Sequence, residues 1–168
     1  MAHSIMSFER ALSDSQMKAK KAFLETHYKR FAAWDRWDLP GFCEYLSDDI
    51  TFTLGNMEAT GIEAVSRLLN KCKDALNNDP FDGFRHETIF VEFTSITDKC
   101  IKADIFLDIW QRLKATGEWK QQLFNKLIDE QTHPGHFTIL VTSEERDGKW
   151  LVTEQLTTSD DENTLWTI

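Results

Sequence analysis

Residues 32–56 read AAWDRWDLPGFCEYLSDDITFTLGN, and the architecture of the chain turns on how this stretch divides. Just upstream, Ser13, Asp14, Ser15 and Gln16 have the S-x-x-Q form of a capping box. Leu24, His27, Phe31 and Trp34 then recur at helical spacing, which predicts a first helix over roughly 14–36. Asp38 can cap a short second helix that tolerates Pro40 in its first turn and buries Phe42, Tyr45 and Leu46. Ile50, Phe52 and Leu54 alternate with Thr51 and Thr53, the pattern of a half-buried strand closed by Gly55-Asn56.

Further along the chain, Thr60 and Glu63 suggest a second capping box. Ile62, Val65, Leu68, Leu69, Cys72 and Leu76 give the third helix its apolar stripe. From residue 84 the period changes to two. FRHETIFVEFTSI, CIKADIFLDIWQRL, HFTILVTSEE and KWLVTEQLTT read as four further strands, with TDK and RDGK as hairpin turns. Helices ahead of a mostly antiparallel sheet make the chain α+β. The segment 117–132 departs from the alternation: Trp119, Leu123, Phe124, Leu127 and Ile128 fit an amphipathic helix of about three turns, a lid or an interface helix inserted between two strands.

A chain of 168 residues, 41% of them hydrophobic, can bury one good core, so residues 1–168 are expected to form a single domain with a flexible 1–13 terminus. A formal charge of −9 without a long basic cluster argues against nucleic acid and against an anionic membrane surface. The expected partner is small or neutral. Cys43, Cys72 and Cys100 share no metal or redox spacing and read as reduced packing residues of a cytoplasmic protein. No metal or other cofactor is expected. His133 and His136 flank Pro134-Gly135, which would break any helix aiming both rings at one ion.

The order of elements, and the string Asp35, Asp38, Phe42, Leu46, Asp49 and Phe52, resembles the nuclear transport factor 2-like superfamily, whose members commonly read DxxDxxxFxxxLxxDxxF here. The TGIEAVSRLL helix and the FRHETIFVEF strand follow in the same order. The resemblance, to SnoaL-like, scytalone dehydratase and ketosteroid isomerase proteins, implies a cone of curved antiparallel sheet around three N-terminal helices, with a pocket at the wide end. It also implies a homo-oligomer, dimer or trimer, because a second copy usually covers the open sheet face. In ketosteroid isomerase an Asp base faces a Tyr and a protonated Asp; those positions fall on Leu54, Phe31 and about Leu140, so that chemistry is not expected. The dehydratases pair a His opening the strand after the third helix with an Asp ending the first, positions that fall on His86 and Asp35.

An imidazole is the side chain suited to taking a proton from carbon and returning it to a leaving group near neutral pH, and a carboxylate can fix its tautomer. His86 and Asp35 would then be acid/base and orienter. Asp108 is a further candidate: one parity of ADIFLDIWQR carries Asp104, Phe106, Asp108, Trp110 and Arg112, the other Ile105, Leu107 and Ile109, and alternation alone does not say which faces the cone. The pocket wall is expected from Phe31, Trp34, Phe52, Leu54, Phe90, Trp110 and Phe137, with Glu130 reaching in from the inserted segment. His27 is expected to be a core histidine. The reading is a cofactor-independent lyase or isomerase (dehydratase, isomerase or cyclase) acting on an apolar, polycyclic small molecule in a biosynthetic pathway. Its alternatives are a non-catalytic homodimeric module binding a protein or a hydrophobic ligand, and an epoxide hydrolase-like use of Asp104, Asp108 and Arg112.

Overall fold

A computed structural model describes residues 12–54, 57–76, 79–123, 126–127 and 137–159. Helix α1 (Asp14–Asp35) opens with the expected capping box: Ser13 Oγ accepts from the Gln16 N–H at 3.2 Å and Gln16 Oε1 accepts from the Ser13 N–H at 2.8 Å. Its other end is a Schellman turn. The Asp38 N–H reaches Ala33 O (2.9 Å) and the Trp37 N–H reaches Trp34 O (2.7 Å), with Trp37 in the left-handed region at φ 57° where glycine is usual. Helix α2 (Leu39–Cys43) follows at once, capped by Asp38, whose carboxylate accepts from the Gly41 N–H at 3.0 Å. The cluster Trp34-Asp35-Arg36-Trp37-Asp38 therefore stops one helix and starts the next.

Strand β1 (Leu46–Leu54) buries Ile50, Phe52 and Leu54, as the alternation requires. A short β2 (Met57–Thr60) returns against it and was not anticipated. Helix α3 (Ile62–Leu76) begins after Gly61, whose carbonyl accepts from the Val65 N–H, so Thr60 ends a strand and does not cap the helix. Val65, Leu68, Leu69, Cys72 and Leu76 form the buried stripe.

The remaining strands are β3 (Phe81–Ile96), β4 (Cys100–Leu113), β5 (Trp119–Leu123), β6 (Lys126–Leu127), β7 (Phe137–Arg146) and β8 (Lys149–Ser159). They run in the order β2-β1-β8-β7-β4-β5-β6, with β3 on the other edge of β4. The β1–β8 pairing is parallel and the other pairings are antiparallel, so the sheet is mixed and mostly antiparallel, as expected.

Register shifts at Thr88/Phe90 and Phe93/Ser95 act as bulges that bend β3. They also set which residues face inward: Phe84, His86 and Thr88 share the inner face, then Val91 and Phe93, then Ile96, while Ile89 and Phe90 are left exposed. Strand β4 keeps one parity throughout, with Ile101, Ala103, Ile105 and Leu107 all buried in the core beneath the helices.

Segment 117–132 is corrected in part. Residues 119–121 pair with β4, Trp119 opposite Arg112 and Gln121 opposite Trp110. Pairing the free half of the β4 edge outweighs helical amphipathicity. The Arg85 and Arg112 guanidinium carbons lie 4.7 and 5.7 Å from the Trp119 ring, and Gly83 leaves room for that ring: a Cβ there would sit 3.1 Å from it. Phe124 and Ile128 lie outside the described residues, as do His133 and His136. Among the described residues no helix is long and apolar enough to cross a membrane.

Candidate active site

The end of α1 and the start of β3 meet across 51 residues of sequence. Asp35 Oδ1 accepts two hydrogen bonds from His86, one from its backbone N–H at 3.0 Å and one from ring Nδ1 at 2.7 Å. An ionised carboxylate only accepts, so in a neutral ring facing one the proton would sit on Nδ1 and the lone pair on Nε2. A carboxylate at a helix C-terminus opposes the helix dipole, a cost that the contact with His86 offsets.

Three aromatic rings surround the imidazole: Phe31 at 4.6 Å, Trp34 at 4.8 Å and Phe84 at 5.0 Å between centroids. Trp37 stacks behind Phe84 at 4.9 Å, which gives the left-handed tryptophan its packing role. Only 4% of the His86 side chain is exposed, against 22% for Asp35.

His86 faces an apolar cavity lined also by Phe31, Trp34, Leu54, Leu76, Phe84, Leu107, Ile109, Ile139, Gln155 and Thr157. The void is tight, about 20 Å³ open to a water-sized sphere. Polar groups in the lining are few. Trp34 Nε1 and Thr157 Oγ1 are buried without a hydrogen-bond partner among the described residues. Gln155 Oε1 accepts from Nη1 of Arg30, a fully buried guanidinium just behind the wall. Arg30 packs over Phe31 (4.9 Å) and Phe42 (5.2 Å), and burial lowers its pKa to about 9.

His27, as expected, is a core residue. Its Nε2 meets Thr88 Oγ1 at 2.8 Å, and its pKa falls to about 3, chiefly through burial and further through Arg30 and His86, so it stays neutral.

Of the residues expected to line the pocket, Phe31, Trp34 and Leu54 do so. Phe52 is fully buried beneath it in the core. The parity of β4 is resolved against Asp108: Leu107 and Ile109 face the cavity, so Asp104, Phe106, Asp108, Trp110 and Arg112 lie on the opposite face. The charged parity is excluded from the core because the other parity carries no charge and buries Ile101, Ala103, Ile105 and Leu107 without unpaired charge. Asp108 is nonetheless largely buried there, opposite Glu87 on β3.

Trp110 packs under Arg85, and Arg112 pairs with Asp82 at 2.8 Å, so Asp104, Asp108 and Arg112 form no water-activating set in the cavity. Phe90 is 55% exposed on the outer face. Glu130 and the Phe137 side chain lie outside the described residues.

Leu76, Phe84, Leu107, Ile109, Ile139, Gln155 and Thr157 were not anticipated in the lining. Phe84 could have been, since it stands two residues before His86 on the same face. Among the described residues no three His, Cys, Asp or Glu side chains group as a metal site. Cys43 and Cys72 are free and buried, and burial pushes the Cys72 thiol up to about 12.

No protein-family model and no curated protein matches the chain. Solved structures do. A scytalone dehydratase-like protein from Novosphingobium aromaticivorans is 13% identical, with 94% of this chain and 97% of that one covered at a TM-score of 0.67. The hexachlorocyclohexane dehydrochlorinase LinA-type3 from Novosphingobium barchaimii is 14% identical, with 93% and 97% covered at 0.66. Aln2 from a Streptomyces species is 13% identical, with 86% and 92% covered at 0.70. At such identities the likeness is one of fold, and the fold of this chain is that of the nuclear transport factor 2-like superfamily.

Proposed function

We propose that the chain is a cofactor-independent lyase or isomerase that moves a proton on a small apolar molecule, with His86 as acid and base and Asp35 as its orienter. The observation that carries this reading is the double hold of Asp35 Oδ1 on the backbone and ring of His86 at the wall of an apolar cavity. The carboxylate fixes the ring orientation and stabilises the imidazolium formed when Nε2 takes a proton from carbon. In an elimination that proton goes to the departing group; in an isomerisation it returns to a second carbon.

The names of two structural neighbours, a dehydrochlorinase and a dehydratase-like protein, support elimination over transfer. The tight cavity favours a compact substrate. A polycyclic one would need lining rings such as Trp34 or Phe84 to swing aside, since sites for drug-sized ligands span about 300–1,000 Å³.

The test is a panel of small β-hydroxy and β-halo carbon acids incubated in deuterium oxide and followed by mass spectrometry for elimination or deuterium uptake. His86→Ala should lower the rate by about 10² to 10⁴ with the fold intact. Asp35→Asn should cost nearly as much, and the double variant little more, because the two act as a unit. Equal rates in wild type and His86→Ala would end the acid/base reading.

A second reading draws on the outer face of the sheet, where Ile89, Phe90 and Leu140 are exposed. It is the surface on which a second copy of the chain would sit, and a binding module would use it without turnover.

A further inference from the structure

Strand β8 carries a device that the acid/base pair does not explain. Val152 is buried opposite Ser143, but Thr142 is paired with Glu154, so Thr153 is an extra residue, a bulge. Continued alternation from Val152 would have turned Glu154 and Leu156 inward. The bulge turns Gln155 and Thr157 inward instead, next to Phe52 and Leu54 of β1. Gln155 and Thr157 thereby take the places in the cavity lining that Glu154 and Leu156 would have held.

The orientation of Gln155 is not arbitrary. A guanidinium only donates, so the end of the amide that meets Arg30 Nη1 must be the oxygen. The NH₂ end of this buried side chain is then the part left for the cavity. Arg30 is an expensive element: it is fully buried, its Nε and Nη2 have no hydrogen-bond partner among the described residues, and no carboxylate there is paired with it. Its positive charge sits directly behind the amide and strengthens Gln155 as a donor. Thr157 Oγ1, two residues along the same face, is buried and unpartnered among the described residues.

We propose that Gln155 Nε2 and Thr157 Oγ1, backed by Arg30, hold a carbonyl oxygen of the substrate, so that the molecule taken is a carbonyl compound whose reacting C–H lies next to the C=O. This rests on the His86 reading and deepens it. As His86 Nε2 takes the α-proton, the C–H electron pair moves to the carbonyl oxygen, and the enolate charge develops against the two donors. When the pair returns, the C=O re-forms, a C=C forms, and a β-hydroxyl leaves with the proton from His86 as water. Arg30 is a positioning residue: it fixes the amide without touching substrate.

The experiment uses 4-nitrophenol, a single-ring compound whose ionised oxygen stands in for the enolate and is seen by its visible absorbance. In the wild-type protein the bound probe should ionise at least a pH unit lower than in water, a tenfold or greater preference for the phenolate. Gln155→Leu should abolish that preference. Gln155→Glu keeps an acceptor for Arg30, and so should keep the melting temperature, but removes the donor and should abolish the preference too. His86→Ala should retain it, which separates this site from the acid/base pair: loss of turnover in that variant with the shift preserved supports both readings. A probe that fails to bind, or binds mainly as the neutral phenol, overturns the proposal. So does a shift that survives in Gln155→Glu, or one that disappears only in His86→Ala. Once a substrate is in hand, Gln155→Glu should lower turnover by about 10² to 10³, the usual effect of losing one such donor.

Discussion

His27 shows how burial sets the behaviour of a single residue in this chain. It lies one helical turn before Phe31, bonds Thr88 and stays neutral because burial, Arg30 and His86 all oppose its charge. Its pKa is lowered from 6.5 to about 3 on folding. The unfolded chain therefore takes up a proton that the folded chain refuses. The stability this group contributes is present above about pH 6.5 and is lost as pH falls towards 3, by roughly 1.4 kcal/mol per unit. His27→Gln retains a partner for Thr88 and removes the titration. Between pH 7 and pH 5 the wild type should lose about 2 kcal/mol more than this variant in urea unfolding; equal losses would show that His27 takes its proton in the folded state.

Asp35 and His86 were both legible one residue at a time, from residue type, position and resemblance. Gln155 and Thr157 were not, because a one-residue bulge reverses the parity that alternation gives to β8.

Elements in this chain are set as much by their ends as by their interiors. The Schellman turn after α1 places Asp35 in the last helical position and Asp38 at the cap of α2, and it does so with Trp37 in a conformation that costs an L-residue roughly 1 kcal/mol or more. The ring offsets this by stacking on Phe84, itself beside His86. Trp37→Ala should lose the stacking and keep the strain, while Trp37→Gly loses the stacking and relieves it. The glycine variant should therefore be the more stable of the two by about 1 kcal/mol in thermal or urea unfolding. The reverse order would mean the turn rearranges when the ring is removed.

Helix α1, helix α2, β1, the stripe of α3 and the four long strands were readable because each carries a clear period or a cap. Strands β2 and β5 were not: four residues are too few to show alternation, and the apolar spacing of segment 119–123 suits a helix until the edge of β4 is there to pair with it.

Across the full chain, the site exists only because α1 docks on β3 inside the curve of the sheet. Gln16 Nε2 donates to Ile96 O at one end of that contact, and Asp35 holds His86 at the other. Gln111 Nε2 closes the far side by donating to Leu76 O, fixing the end of α3 where Leu76 lines the cavity. The α+β class was legible from the order of elements, and the cone was what the resemblance implied. The face of β4 that meets the cavity was legible in principle, since the apolar parity of Ile105, Leu107 and Ile109 beside a charged one is the one that buries; alternation alone left the two open, with Asp108 as a candidate.

The proposed chemistry stands on Asp35 holding His86 with its proton on Nδ1 and its lone pair on Nε2 towards the cavity. Nitrogen-15 NMR of the histidine rings, with His86 assigned by its absence in His86→Ala, reads this directly in the neutral ring. The expected spectrum shows a protonated Nδ1 and an unprotonated Nε2 in the wild type, and a mixture of tautomers in Asp35→Asn. A wild-type ring protonated on Nε2, or one unchanged by Asp35→Asn, would contradict it.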